Sequence, residues 1–338
     1  MTASETPPAA LRLAFVGDLM LGRKVTAQLR AGKPPAAFWG DVRPQCLACD
    51  AVIGNLEAPI TGSKRRWRGI KSFRFCADPR AVDILRAGNV KCVSLANNHI
   101  LDCAGEGLID TRRHLAAAGI AHAGAGADLT EAMAPAIFRA NGLDIGFVSI
   151  TNTMWPFAAG AAKPGTRFLL IRRDRATLAL LGGQAAELRR CGAAVVILSV
   201  HWGPNLRPWP PRRYRRFAHA MIEAGYDIVH GHSAHLLQAV EFHRHGLILY
   251  DTGDFIEDFW VFPGIRTDRS CLFVLEYSGA QPPLLKLLPL CLTPGEVNLA
   301  AGREAAAIRN TMLRRCRGYA VNLERDGEGL VATAPPPR

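Results

Sequence analysis

No stretch of the chain is apolar for long enough to cross a membrane. Of the 338 residues, 49% are hydrophobic and 21% are charged, as in ordinary globular domains. No uninterrupted apolar run approaches the roughly 20 residues that a transmembrane helix needs. The opening residues, MTASETPPAALRLAFVGD, also lack the basic start and long apolar core of a secretory signal. We therefore expect no membrane span and a cytoplasmic location.

Several common catalytic motifs are absent as well. The sequence has no GxSxG nucleophile elbow, no P-loop, and no GxGxxG placed between a strand and a helix. These absences argue against α/β-hydrolase, P-loop and dinucleotide-binding chemistry. No internal repeat or interdomain linker is visible either. We expect one domain over residues 11–290, followed by a C-terminal helix and a Pro-rich tail over residues 291–338.

The nine cysteines do not form a recognisable disulfide framework. They are odd in number, scattered, and mostly surrounded by apolar residues, which favours reduced thiols in the core. Cys46 and Cys49 form a single CxxC with no second pair to complete a zinc site. We interpret this pair as one face of a helix, and a redox or zinc site is the alternative.

Acidic residues are in the minority, with 29 Asp and Glu against 41 Lys and Arg and a net charge of +12. A basic surface attracts polyanions, but no nucleic-acid-binding motif accompanies the charge, so we expect no nucleic-acid partner. A small or polymeric anionic substrate is favoured, because guanidinium groups pair bidentately with phosphate and carboxylate. The alternative for each arginine is a solvated surface position. The candidate substrate contacts are Arg65, Arg66, Arg68 and Arg207.

What the sequence does contain is a set of polar side chains at the ends of apolar strands. The predicted strands cover residues 11–16, 50–55, 90–95, 193–200 and 226–232. In α/β folds, side chains at the carboxyl ends of strands converge on one crevice. The polar residues at or just beyond these ends are Asp18, Asn55, Glu57, Asn98, His99, His201, His232 and His235.

Carboxylate, amide and imidazole groups together suit a divalent cation such as Mn²⁺, Fe²⁺ or Zn²⁺. A bridging carboxylate can hold two ions about 4 Å apart, which lowers the pKa of a shared water and indicates a two-metal hydrolase. Taken singly, Asp18 could cap the following helix, Asn97 could be a turn residue, and His201 could be a core histidine. The conjunction of donors on separate strands favours the metal site.

Six segments resemble, in order, the motifs of the CapA family of poly-γ-glutamate capsule synthesis proteins, a branch of the calcineurin-like metallophosphoesterases. The resemblance extends from about Leu11 to Phe255. Within it, Met20 stands where other phosphoesterases have a histidine. The segments are GDLMLGR, NLEAPIT, SLANNHILDCAGEGLIDT, SVHWG, HGHSAH and LILYDTGDF.

The resemblance implies an α/β fold with mixed sheets, arranged as a four-layer αββα sandwich with two metal ions at the strand ends. His99 is implied as the general acid that protonates the leaving oxygen. Asn55 is the rival of Glu57 as bridging ligand, and Met20 implies that one metal site is weaker. The implied metal ligands are Asp18, Glu57, Asn98, His201, His232 and His235.

We therefore expect a metal-dependent hydrolase that acts on an anionic phosphoester or γ-glutamyl polymer and is linked to poly-γ-glutamate capsule synthesis or turnover. The alternative is a non-catalytic accessory protein that binds the polyanion during poly-γ-glutamate biosynthesis. Salt-sensitive binding of polyanions without turnover would favour the alternative.

Overall fold

Two β-sheets packed face to face form the centre of the fold, in a computed structural model that describes residues 11–258, 264–277 and 283–334. The strands are β1 (Leu11–Leu19), β2 (Ala51–Leu56), β3 (Val90–Ser94), β4 (Ala121–Ala123), β5 (Ala125–Gly126), β6 (Ala136–Ala140), β7 (Leu143–Thr151), β8 (Gly165–Thr166), β9 (Val195–His201), β10 (Ile228–His232), β11 (Val240–His243), β12 (Gly246–Leu249), β13 (Asp254–Ile256), β14 (Arg269–Tyr277), β15 (Leu284–Thr293), β16 (Glu296–Leu299), β17 (Asn322–Asp326) and β18 (Gly329–Thr333). The α-helices are α1 (Arg23–Arg30), α2 (Arg43–Leu47), α3 (Ala81–Ala87), α4 (Ala104–Ala117), α5 (Leu129–Met133), α6 (Arg175–Arg190), α7 (Arg212–Glu223) and α8 (Gly302–Arg315).

The larger sheet has ten strands. Eight lie in the order β17-β18-β15-β14-β1-β2-β3-β4, while β13 pairs with β1 and β16 with β15. Strands β1 to β4 run parallel, and β14 joins them antiparallel to β1. The smaller sheet has the order β11-β12-β10-β9-β7-β6, with parallel central strands and an antiparallel hairpin at each edge. Both sheets are therefore mixed, as predicted.

Side-chain alternation along β1 explains the layers. Leu13 and Phe15 belong to the core between the two sheets, whereas Ala14 and Val16 belong to the core under α1, α3 and α4. Successive residues of a strand point to opposite faces, so each face of this central strand buries its own apolar set. Helices α6 and α7 pack on β7, β9, β10 and β12 of the smaller sheet. The predicted four-layer αββα sandwich is confirmed.

Asn-Gly between two alternating apolar runs is typical of a hairpin turn, and the structure has a hairpin at Asn141-Gly142. Strands β6 and β7 pair antiparallel around these two residues, whose φ angles are 47° and 77°. Asparagine and glycine tolerate positive φ better than other residues, and two such residues give the turn that matches the twist of paired strands.

The C-terminal part of the chain joins the larger sheet. Strand β15 is continuous from Leu284 to Thr293, so the boundary drawn between residues 290 and 291 falls inside a strand. The C-terminal helix expected after residue 290 is α8, which begins at Gly302, because Glu296–Leu299 pairs with β15 as β16. The hairpin of β17 and β18 was not predicted.

Two predictions concern residues that lie outside the described ranges. They are the absence of a secretory signal in the first ten residues and, from residue 335 onward, the Pro-rich tail. Within the described ranges, none of the helices has both the length and the apolar character that a membrane crossing requires.

Candidate metal centre

The parallel strands carry the implied ligands to one edge of the sandwich. Asp18 is the register partner of Asn55 on β2 and of Asp254 on β13. In the smaller sheet, His201 at the end of β9 is the register partner of His232 at the end of β10. These strand ends meet because parallel neighbours terminate at a common edge.

His201 lies at the centre of one half of the cluster. Its Nε2 is 2.7 Å from Asn98 Oδ1 and 3.7 Å from Glu57 Oε1. Its Nδ1 is 2.8 Å from His232 Nδ1, and His232 Nε2 contacts Ser199 Oγ at 2.9 Å. Burial lowers the pKa of both His201 and His232 well below the usual range, so both rings are uncharged at neutral pH. That is the form in which imidazole binds a metal.

Asp18 connects this half of the cluster to the other. Its Oδ1 is 3.9 Å from His232 Nδ1, and its Oδ2 is 3.4 Å from His235 Nδ1. His235 Nδ1 also contacts Asp254 Oδ1 at 2.8 Å. Although burial opposes it, the charges of Asp254, Glu57 and Asp18 raise the pKa of His235 well above the usual range.

Two groups of side chains have a spacing that suits a divalent cation. Asp18, His201 and His232 form one group, and Asp18, Glu57 and His235 form the other. Within each group the ligand atoms lie within 4.8 Å of one another. Asp18 is common to both, and Glu57 Oε1 also approaches His201. The six implied ligands thus lie together in one mostly buried cluster.

The carboxylates of this cluster fit a cation, since they lack the donors that buried charges require. Glu57 is fully buried, and neither of its carboxylate oxygens has a hydrogen-bond partner among the described residues. Within the same ranges, Asp18 Oδ2 and Asp254 Oδ2 lack one too. Burial raises the pKa of Glu57 to about 7, and burial together with the charge of Glu57 raises the pKa of Asp18. Unpaired buried charge of this kind is costly unless a metal compensates it.

Asn55 and Asn97 are bound to neighbouring protein groups. Asn55 Nδ2 donates to Asp18 Oδ1 at 2.7 Å, and Asn55 Oδ1 accepts from Asn97 Nδ2 at 3.0 Å. Asn97 Oδ1 accepts from the backbone N–H groups of His99 and Ile100. Asn97 therefore holds the turn after β3, in agreement with the turn role that its sequence context favours.

Next to the cluster, His99 lies in a network that sequence reasoning missed. Its Nδ1 is 2.6 Å from Asp102 Oδ2 and 2.9 Å from Lys71 Nζ, and its ring stacks on Phe75 with centroids 4.0 Å apart. Lys71 Nζ also donates to Asp102 Oδ1 and to the carbonyl of Asn98. Burial lowers the pKa of His99 to about 4 and outweighs the opposing effect of Asp102.

Of Asp102 and Lys71, the two residues of this network that were not identified from the sequence, only Asp102 has a local sequence pattern that could have indicated it. Asp102 lies three residues after His99, and its backbone N–H donates to the carbonyl of His99, so a turn at ANNHILD could have indicated the pair. Lys71 lies in an irregular segment without periodicity, about thirty positions before the histidine, and only the folded chain brings the two together.

Three of the four predicted substrate arginines lie on one irregular segment, residues 62–75, which we call the basic loop. Arg65, Arg66 and Arg68 line a cavity of about 650 Å³. The backbone N–H of Trp67 donates to the carbonyl of Asp102, so this cavity borders the turn that carries His99. Arg207 is exposed, lies after β9, and is not part of the cavity lining as described.

A disulfide joins Cys76, at the end of the basic loop, to Cys103, just before α4, with Cα atoms 6.1 Å apart. This bond differs from the expectation of reduced thiols, because residues 27 positions apart come together only in the folded chain. The other seven cysteines are free. Cys46 and Cys49 are buried, and burial raises the pKa of their thiols to about 12 and about 11. The CxxC pair therefore consists of core thiols.

The chain is similar to known bacterial proteins. The family model of the bacterial capsule synthesis protein PGA_cap matches residues 12–259. A probable polyglutamine synthesis accessory protein of Mycobacterium tuberculosis is 31% identical over 309 residues, which cover 88% of this chain and 81% of that protein. The PGA biosynthesis protein CapA of Bacillus subtilis is 31% identical over 253 residues, which cover 73% of this chain and 63% of that protein.

Solved structures include more distant neighbours. A hypothetical protein of Thermus thermophilus aligns with a TM-score of 0.46 at 15% identity, covering 81% of this chain and 98% of that one. The sulfate thiohydrolase SoxB of the same organism aligns with a TM-score of 0.44 at 12% identity, covering 92% of this chain and 60% of that one.

Proposed function

The chain belongs to the PGA_cap family of bacterial capsule synthesis proteins, and on that premise we propose that it is a metal-dependent hydrolase acting on an anionic substrate. The CapA resemblance predicted from the sequence is confirmed by the family match and by the Bacillus relatives. One observation carries the hydrolase proposal. The buried carboxylates of Asp18 and Glu57 lie beside three histidine side chains, and across the described ranges three of their four oxygens, Asp18 Oδ2 and both oxygens of Glu57, have no hydrogen-bond partner.

The donor set supports two divalent cations, of which Mn²⁺, Fe²⁺ and Zn²⁺ are the candidates. Asp18, His201 and His232 would hold one, with Asn98 beside His201, while Asp18, Glu57 and His235 would hold the other. When bound, the cations would supply Lewis acidity toward a substrate oxygen and toward water. Asp18 is the residue common to both groups. Between Glu57 and Asn55, Glu57 is the better candidate for a second shared ligand, because its Oε1 also lies 3.7 Å from His201 Nε2, whereas the amide of Asn55 is already bound to Asp18 and Asn97.

His99 is the proposed general acid, and Asp102 fixes its ring. In this scheme His99 Nδ1 carries its proton in the hydrogen bond to the Asp102 carboxylate, which leaves Nε2 for the reacting group. Donation from Nε2 requires the charged ring, and a bound anionic substrate would favour that form by its own charge. Lys71 holds the opposite oxygen of Asp102, so it is a positioning residue in this scheme.

The substrate class is proposed from the charge around the site and from the relatives. The arginines of the basic loop face a cavity large enough for an anionic group of a phosphoester or a γ-glutamyl polymer. The Bacillus subtilis relative is named for PGA biosynthesis, which supports a role in poly-γ-glutamate synthesis or turnover. The mycobacterial relative is named an accessory protein, and this favours non-catalytic polyanion binding as the second candidate.

The cytoplasmic location stays a prediction, and the disulfide gives it a test. Disulfides persist in oxidising compartments and are rare in the cytosol. Thiol labelling of protein from intact cells, followed by mass spectrometry, should find Cys76 and Cys103 as free thiols if the location is cytoplasmic. A labelling-resistant pair would place the protein in an oxidising compartment.

The function is tested by metal analysis of the purified protein together with a hydrolysis screen of phosphoesters and γ-glutamyl peptides. His99→Ala should lose turnover while keeping its metal, and His245→Ala, at an exposed position, should keep both. Equal turnover in the parent and His99→Ala would remove His99 from the mechanism. Absence of both metal and turnover in the parent would contradict the hydrolase and favour the accessory protein.

A further inference from the structure

A second cavity lies on the side of the molecule where α8 meets the segment before β14. Its volume is about 220 Å³, and its lining includes Leu237, Thr311 and four arginines. None of the candidate metal ligands is part of that lining as described. The cavity therefore differs in its lining from the candidate metal centre, although Leu236 directly follows His235 in the chain. The four arginines are Arg266, Arg269, Arg314 and Arg315.

Two of these arginines are neutralised by the protein. Arg266 forms a bidentate ion pair with Asp268, with both N–O distances at 2.7 Å. Arg269 contacts Glu304 at 2.8 Å, and Arg266 approaches the same carboxylate at 3.3 Å. Two carboxylates thus balance the two guanidinium groups that lie before and at the start of β14.

The other two arginines contact only neutral groups. Arg314 Nη2 donates to Thr311 Oγ1 at 3.3 Å, and Arg315 Nη1 donates to the carbonyl of Leu237. Across the described ranges, no carboxylate lies within ion-pair distance of either guanidinium. The negative charge of Asp251 raises the pKa of Arg315 without forming an ion pair with it. Burial and the adjacent Arg314 lower the pKa of Arg315 to about 10. Arg315 is half-buried and has no ion-pair partner among the described residues, so an anion in the cavity would be stabilised.

We propose that this cavity binds a single small oxyanion, carrying phosphate or carboxylate oxygens, between Arg314 and Arg315. Arginine presents a fork of N–H donors that matches such oxygens. The Thr311 hydroxyl donates to the carbonyl of Ala307 and accepts from Arg314, so it helps to hold Arg314 in place and does not itself donate to the anion. A volume of 220 Å³ corresponds to roughly seven water molecules at about 30 Å³ each, which accommodates one anionic group but no folded polymer segment.

The test is isothermal titration of the purified full-length protein with inorganic phosphate and, separately, with L-glutamate at constant ionic strength. Arg314→Gln removes one of the two unpaired charges at an exposed position, so the fold should be retained. Arg303→Gln is the matched control, because Arg303 is exposed on the same helix and does not line the cavity as described. Arg315→Lys is a second variant, which keeps the positive charge and removes the paired N–H donors of the guanidinium group.

Saturable binding of either anion to the parent is expected, with a dissociation constant of about 1 mM or tighter. Arg314→Gln should weaken it by about tenfold or more, since hydrogen bonds to charged groups are the strong ones, while Arg303→Gln should stay within about twofold. Tighter binding of phosphate or of glutamate identifies the source of the oxyanion.

Three results would overturn the proposal. The first is the absence of saturable binding of both anions, and the second is equal weakening in Arg314→Gln and Arg303→Gln, which would indicate general charge screening. The third is an isotherm unchanged in both Arg314→Gln and Arg315→Lys, which would assign the anion to another location such as the metal centre. Melting temperatures of the variants show whether each has kept its fold.

Discussion

Two of the buried clusters of carboxylate and histidine side chains, the one around Glu241 and the candidate metal centre, differ in what balances the charge. In the cluster around Glu241, Arg215 Nη2 donates to Oε1 at 2.7 Å, Tyr250 OH donates to Oε2 at 2.7 Å, and His219 Nε2 contacts Oε2 at 3.0 Å. Burial alone would raise the pKa of Glu241, but the hydrogen bonds from His219, Arg215 and Tyr250 lower it to about 2. This charge is fully satisfied by the protein.

The candidate metal centre presents the opposite case with the same residue type. Glu57 is as deeply buried as Glu241, with 0% and 2% of their surfaces exposed. Yet neither oxygen of Glu57 has a hydrogen-bond partner among the described residues, and burial raises its pKa to about 7. The two carboxylates therefore differ in their internal donors and not in their exposure. On the proposed function, a bound cation would balance the charge of Glu57.

The largest expected effect is on metal binding. Glu57→Gln should weaken divalent-cation affinity on the order of a hundredfold or more, because it removes a charged candidate ligand. Loss of a group that only supports a metal ligand already lowers metal affinity roughly ten- to hundredfold. Affinity can be measured by titrating chelator-treated protein with Mn²⁺ or Zn²⁺, and turnover should fall in parallel.

Glu241→Gln is the matched control for this measurement. It makes the identical chemical change at an equally buried carboxylate, so metal affinity and turnover should stay at the parent level. If the two variants lost metal to the same extent, the loss would come from general destabilisation, and the comparison between the clusters would fail.

The second effect concerns the free energy of unfolding of the metal-free protein. Here Glu241→Gln should have the larger effect and Glu57→Gln the smaller one. Glu241→Gln should lower the free energy of unfolding by about 1–3 kcal/mol, since it removes the charge from the hydrogen bonds of Glu241 and replaces one accepting oxygen with an NH2 group that faces donors. Glu57→Gln should leave the free energy unchanged or raise it, because an unpaired buried charge disappears. Urea unfolding at about pH 7 with chelator present measures both.

A Glu57→Gln variant destabilised as much as Glu241→Gln would mean that Glu57 is already balanced within the chain. In that case the lack of hydrogen-bond partners at Glu57 would not support a metal site.

The strand ends of the site could be predicted from the sequence, because each combines an apolar run with a polar residue that directly follows it. An apolar run followed by Asp18, by His201 or by His232 is readable without knowing the fold. The same locality explains the hairpin at Asn141-Gly142. Strand β17 was not predicted because its residues NLERD are mostly exposed and lack apolar alternation.

Contacts between distant parts of the chain could not be predicted. The approach of Lys71 to Asp102, the pairing of Cys76 with Cys103, and the donors around Glu241 each join residues that share no local pattern. The difference between the two clusters is of this kind. From the sequence alone, Glu57 and Glu241 are both acidic residues in or beside apolar segments.

A smaller effect should follow from changing Lys71, the cation that the chain itself supplies beside the metal centre. Lys71→Met should reduce kcat by about tenfold with little change in KM, because Asp102 would lose a charge-assisted hydrogen bond and orient His99 less well. The pH profile of kcat should shift, and Lys71→Arg should restore part of the rate. Lys64→Met, at an exposed position on the same loop, is the control.

A change in KM alone would instead assign Lys71 to substrate binding, and an unchanged pH profile would make its role purely structural. Either result would remove it from the positioning of His99.

The smallest effect is the pH dependence of the Glu241 cluster. The pKa of Glu241 is about 2 in the folded chain, against 4.5 for an ordinary glutamate. A carboxyl whose pKa is lowered on folding stabilises the protein above its unfolded pKa, and this contribution is lost as the pH falls toward the folded value. The stability difference between the parent and Glu241→Gln should therefore be constant from about pH 7 to about pH 5 and shrink progressively toward about pH 2. Urea unfolding of both proteins across this range measures it, and a difference that stays constant at low pH would show that packing, and not the charge of Glu241, holds the cluster together.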